Sequence, residues 1–280
     1  DSKTLVRFVP AAALWLRLTK ALEPKKEFRM YEAFSLDKIV SKVGSVLPRK
    51  VVFTKKEPEL VMHHMTSLNM NSPTRYKTVR VEESRNSKLI GILFAHPNTP
   101  LAKSEIVDHL NQFHYRSGEA VDFFCVGYGA YWPENYQSDI RKATSIDGTD
   151  WLFSDAAFSQ VIDEIESLTK WQYSGETELI LLSATKDGSG EAKLDFGSAI
   201  VCNLEAMSKD LAFTSVRAFF EGVFRFAKSN SCSNPAWGLS DAAGLSIAGS
   251  SLKQAVLSLL PNNLRDSYKK AEHYAIRNIE

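Results

Sequence analysis

The hydrophobic pattern of this chain becomes regular at residue 89. LIGILFA (89–95) is continuously apolar, as a strand buried on both faces should be. The run stops at His96 and turns through Pro97, Asn98 and Thr99. Thr99 is placed to cap a helix with Pro100 at its first position, reaching Arg116 and closed by Ser117-Gly118. AVDFFCVGY (120–128) reads as a second buried strand, followed by a long loop as far as DGTDW. Ser154 can cap a helix over 155–171, with Phe158, Ile162, Ile165 and Leu168 on its inner face. ELILLSA (178–184) and LDFGSAIVCNL (194–204) are two more strands, and the turn-rich TKDGSGEAK between them predicts an antiparallel hairpin. A helix over 210–228 carries Phe213, Phe220 and Phe224 on one face, with Phe219 and Phe226 toward its edges. Two helices, 251–260 and 263–279, close the chain around Pro261.

The N-terminal third is less regular. Leu14, Leu18 and Leu22 share one face of a helix over 10–22, and a short helix is expected over 36–43. VVFT (51–54) suits a strand, Glu57-Pro58-Glu59 can open a helix through Met65, and 70–74 is a loop. Val79 and Val81 alternate with polar residues in an edge strand over 78–82.

These elements predict an α/β protein with a mixed sheet. Three segments follow: a basic α+β region (1–88), an α/β core (89–230) and a helical C-terminal region (231–280), separate or joined in one compact domain. From residue 89 the strand and helix order is similar to that of the thioredoxin-like fold. The turn that would carry redox cysteines reads FAHPNTPL, and SGETELILL has no proline before the third strand, so the likeness implies no thiol chemistry.

Composition adds limits. With 44% hydrophobic and 24% charged residues the chain has globular character. No apolar run approaches the roughly 18–20 residues of a membrane helix, so no membrane insertion is expected. VPAAALWLRL, interrupted by Arg17, reads as an amphipathic helix rather than a signal peptide. The chain opens on Asp1 rather than methionine, which points to a missing or processed N-terminus. Cys125, Cys202 and Cys232 are odd in number and widely spaced, which argues against disulfides and zinc and for a cytoplasmic location. Charge is divided unevenly. Residues 1–90 hold 18 Lys or Arg against 9 Asp or Glu, and residues 91–280 hold 16 against 24. A basic segment on an acidic body suits a nucleic acid or an acidic partner, or neutralisation within one fold.

Three places offer candidate chemistry. His96, with Asn98, lies at a strand's carboxyl end, where the amides of Leu101 and Ala102 can serve an anion. Tyr128, Tyr131, Trp132, Glu134 and Tyr136 form an aromatic loop after the second strand, with rings that anchor partners or stack on bases. Glu191-Ala192-Lys193 matches the ExK half of a metal-dependent nuclease signature, with Asp122 as its best acidic partner and Mg²⁺ as the implied ion. No HExxH occurs, no metal ligands are assigned, and Gly238-Leu239-Ser240-Asp241-Ala242 lacks the last glycine of a hydrolase elbow. The leading expectation is a non-catalytic interaction subunit of a larger intracellular assembly, without cofactor, docking a protein or nucleic-acid partner. The alternatives are a metal-dependent nuclease or other phosphate-processing hydrolase, and a simple nucleic-acid-binding protein.

Overall fold

A computed structural model describes residues 30–58, 76–117, 121–233, 253–254, 256–270 and 276–279. The expected helix over 10–22, the loop over 70–74 and most of the 57–65 helix lie outside the described residues.

A six-stranded mixed sheet forms the centre. Its strands are β1 (Met30–Ala33), β4 (Ser87–Phe94), β5 (Val121–Val126), β9 (Glu178–Lys186), β10 (Ala192–Asn203) and β11 (Ile276–Asn278), in the order β1-β5-β4-β9-β10-β11. β1, β5 and β4 run parallel, with Met30 opposite Phe123 and Leu89 opposite Val121. β9, β10 and β11 join antiparallel, and β9–β10 is the expected hairpin. β4 and β5 are buried along their whole length, which is why both read as unbroken apolar runs.

Helices cover both faces. On one, α2 (Leu110–Ser117) and α5 (Val216–Ser233) meet the sheet through Phe113, Phe220 and Phe224, with Phe220 and Phe224 packed on Phe123 at 5.4 and 5.5 Å. On the other lie α1 (Leu36–Val46) and α3 (Asp155–Leu168), with Phe158 of α3 against Phe94. Ser35 caps α1 by accepting from the Lys38 amide at 3.2 Å, and Ile39 and Val43 form its buried stripe. Ser154 caps α3 as expected, accepting from the Ala157 amide at 3.1 Å.

The α/β class and the mixed sheet hold. A three-stranded sheet of β6 (Tyr128–Gly129), β7 (Arg141–Ile146) and β8 (Thr149–Phe153) stands where one long loop was expected. Asp147 and Gly148, both at positive φ (51° and 74°), make the tight turn that pairs β7 with β8. With β1 and β11 added at the edges, a thioredoxin-like order does not by itself describe this sheet.

Other expectations are corrected. Glu57 and Pro58 do not open a helix. They end β2 (Arg49–Pro58), which pairs over ten residues with β3 (Tyr76–Arg85) in a separate two-stranded ribbon. The segment before α2 is irregular, a π-turn over Ala102–Ile106 and a 3₁₀ turn over Val107–His109. α3 ends before Trp171 and buries Ala157, Phe158, Val161 and Ile165, leaving Leu168 62% exposed. A short helix, α4 (Leu204–Lys209), precedes α5, which starts at Val216 rather than near 210. The last helix, α6 (Asn262–Lys270), stops well short of 279. Ile276 pairs with Cys202 instead, because the open edge of β10 offers ladder hydrogen bonds and burial for Ile276 and Ile279. The central sheet thus takes strands from all three segments of the chain.

Candidate functional site

The corner after β4 is closed from within. His96 Nε2 donates to Asp155 Oδ1 at 2.7 Å, and Nδ1 accepts from the Asn98 amide at 3.2 Å. Both ring nitrogens are therefore engaged within the corner. Asn98 serves the corner through its backbone. The Leu101 amide is not open to an outside anion either. It donates at 3.4 Å to Glu205, a buried carboxylate that also accepts from Thr177 Oγ1 at 3.2 Å. Thr99 pairs its hydroxyl with Thr177 at 2.8 Å instead of capping the next helix.

Asp155, at the start of α3, holds this corner to β7. Arg141 reaches it with two guanidinium nitrogens, one of them at 3.1 Å. The hydrogen bond from Arg141, then that from His96, pulls the Asp155 carboxyl down to about 2. An unfolded aspartate titrates near about 3.9. Asp155 therefore adds stability above that pH, and the contribution disappears as pH falls toward 2. Exposure keeps it modest. Melting curves between pH 2 and 5 should show an acid limb that is shallower in Asp155→Asn than in the native protein. Superimposable limbs would show that the contact adds nothing.

The aromatic loop packs down on the fold more than it points away. Tyr128 is buried, with its hydroxyl donating to the Ala95 carbonyl at 2.6 Å, so it ties the loop to the β4 corner. Tyr136 is buried beside Phe34 and bonds Gln160 at 2.5 Å. Trp132 is half-buried, 4.4 Å from the Phe34 ring, and its Nε1 donates to the Gly129 carbonyl at 2.8 Å. A Cβ on Gly129 would collide with Phe34, so this close seat requires glycine. Tyr128 thus positions the loop, and the expectation that it meets a partner is corrected by its burial, whereas Tyr136, though largely buried, still edges a surface hollow. Glu134 is exposed.

Tyr131 alone among these rings stands out, 79% exposed. It is not loosely held. Glu32 Oε1 accepts from the amides of Ala130 and Tyr131 at 2.8 and 3.1 Å, fastening the loop to β1. Two hollows flank the ring. One, of about 440 Å³, is walled by Phe34, Trp132, Pro133, Tyr136 and Gln160. The other, of about 360 Å³, is walled by Tyr31, Glu32, His114, Asp147 and Trp151. Lys38 and Tyr131 line both, and Lys42 borders the second. Lys42 Nζ sits 4.5 Å from the Tyr31 ring centre and Lys38 Nζ 5.8 Å from that of Phe34. Burial pushes the His114 imidazole below its usual range.

The nuclease triad does not assemble. Asp122 is fully buried in β5, 2.7 Å from the equally buried Lys88 of β4. Glu191 is exposed at the far end of the β9–β10 hairpin, and Lys193 pairs there with Asp187 at 3.1 Å. Ser189, then Lys193, holds the Asp187 carboxyl down to about 2. Among the described residues no three His, Cys, Asp or Glu side chains gather as metal ligands, and no helix is long and apolar enough to cross a membrane. Cys125 and Cys202 are buried, which raises both thiols, Cys202 to about 12.

Sequence reasoning missed Phe34, Lys38 and Lys42, and also Arg141 and Asp155. The four-residue spacing of Lys38 and Lys42 on α1 was a usable sign of one basic stripe. Nothing local marks Asp155 as a partner of His96. Comparison with protein-family models, with curated proteins and with solved structures finds no match.

Proposed function

We propose that this protein is a binding module, and that its docking surface is the lysine-edged aromatic groove between α1 and the 130–136 loop. One observation carries this reading: Glu32 fixes the Tyr131 backbone, and the exposed Tyr131 ring stands between two hollows. A large exposed ring on a fixed backbone loses little entropy on binding, which is the property of an interface anchor. Lys38 and Lys42 have no carboxylate partner among the described residues, and they favour a partner that carries negative charge. The closed His96 corner supports binding over turnover.

Capture of an interacting component from native extract should fall at least fivefold with Tyr131→Ala and with Lys38→Glu, at unchanged melting temperature. Equal capture by all three proteins would reject the groove as the docking surface.

A further inference from the structure

We infer that the groove binds single-stranded nucleic acid, with two neighbouring nucleotides seated in the hollows on either side of Tyr131. The inference rests on the docking reading and gives its partner a chemical class. The two hollows share Tyr131 as their common wall, so bases entering them meet its ring. Trp132 spends its only hydrogen-bond donor on the Gly129 carbonyl, so what it offers a ligand is ring surface. Stacking surfaces beside a basic stripe are how proteins hold single strands.

The cations have matching placement. Lys38 and Lys42 lie one turn apart on α1, about 6 Å along the axis. They are set to follow successive phosphates along one edge of the groove, with the bases turned toward the loop. The acidic groups of the second hollow are tied internally. Glu32 holds the Ala130 and Tyr131 amides, and Asp147 accepts from Tyr115 at 2.5 Å. Lysine, a flexible point charge, suits a sequence of phosphates better than the fixed bidentate grip that arginine gives a single phosphorylated side chain. A duplex keeps its base faces stacked inside and presents none to Tyr131.

Two of the polar groups that line the first hollow are already occupied. Gln160 accepts from Tyr136 and donates to Glu164 at 2.8 Å, and Ser35 Oγ accepts from the Lys38 amide. Ring stacking, which every base can supply, carries the contact, so binding should tolerate many sequences.

Fluorescence anisotropy with labelled oligo-dT and oligo-U of about 12 nucleotides tests this, since single-strand sites span about 4–16. Saturable binding to both is expected, competed by unlabelled single strands and much less by duplex. Tyr131→Ala should weaken it about tenfold, whereas Tyr131→Phe, which keeps the ring, should bind nearly as the native protein does. Lys38→Ala with Lys42→Ala should lower the slope of log affinity against log salt by about 1.4, from two lost phosphate contacts. Absence of binding at low salt would overturn the inference, as would equal competition by duplex or variants that all bind like the native protein. If oligonucleotides fail while Tyr131→Ala still abolishes capture from extract, the groove docks a protein and only the nucleic-acid inference falls. If both assays fail, the groove is not a binding surface.

Discussion

Lys88→Met should destabilise the protein by about 3–5 kcal/mol in urea unfolding, because it strands a carboxylate in the middle of the sheet. Lys88 and Asp122 sit diagonally on neighbouring parallel strands, 2.7 Å apart, and neither side chain is more than 1% exposed. They lie on the face that α1 and α3 cover, among Ile90, Ile92 and Phe124. Two charges taken out of water are tolerable only together. Asp122→Leu should be costly for the mirror-image reason, leaving an ammonium without its counter-charge. The double variant Lys88→Met with Asp122→Leu removes both desolvation terms and nearly keeps the volume. It should recover most of the loss, with a coupling of several kcal/mol in the double-mutant cycle. Additive losses would show that packing, not charge, governs this site.

Gly127→Ala is expected to cost about 2–4 kcal/mol, the sum of a left-handed backbone penalty and overpacking. Gly127 has φ of 75°, and its position leaves no room for a side chain. A Cβ would lie 2.8 Å from Phe153 Cε2, 2.9 Å from Phe158 Cβ and 3.0 Å from the Ser154 carbonyl oxygen. Two of these neighbours are backbone or close to it, so they cannot swing away. The same residue links three elements, donating to the Ala33 carbonyl and accepting from the Ser154 amide, both at 2.9 Å. A shift there moves the α3 N-terminus, and with it Asp155 away from His96 and Arg141. Thermal melts read the stability loss. The His96 ring resonances in NMR should move as well, and an unchanged spectrum with unchanged melting would show that the turn adapts freely.

The parts of the fold that were legible share one property. LIGILFA, FFCV and LILL are strands because unbroken apolar runs of four to seven residues lack the one-sided spacing of an amphipathic helix, and both sheet faces are covered. Ser154 before Asp155 and Ser35 before Leu36 are capping signals that work within three residues. The β7–β8 hairpin was just as readable. Asp147-Gly148 is a strong hairpin dipeptide, and the alternation of Trp151 and Phe153 was there to be used. The C-terminal tail was not readable in the same way. Its charges recur at helical spacing, yet residues 276–278 leave the helix for the edge of a strand some 75 residues earlier, a competition that no local pattern records.

The candidate site divides along the same line. The sequence by itself marks the region of interest: an aromatic loop at the end of one buried strand, beside a histidine corner at the end of another. Continuous apolar runs, prolines and caps determine that much, because they act through the chain's own neighbouring bonds. Only the tertiary structure decides which rings face outward. Phe34 arrives about 100 residues from Trp132 and Tyr136 and draws them inward, while Glu32 holds Tyr131 out. It also gives His96 its partner from 59 residues away, puts Glu205 on the amide that an outside anion would need, and seals Asp122 against Lys88. Burial and charge pairing depend on what crosses the sheet from distant segments, and that is a property of packing, not of spacing along the chain.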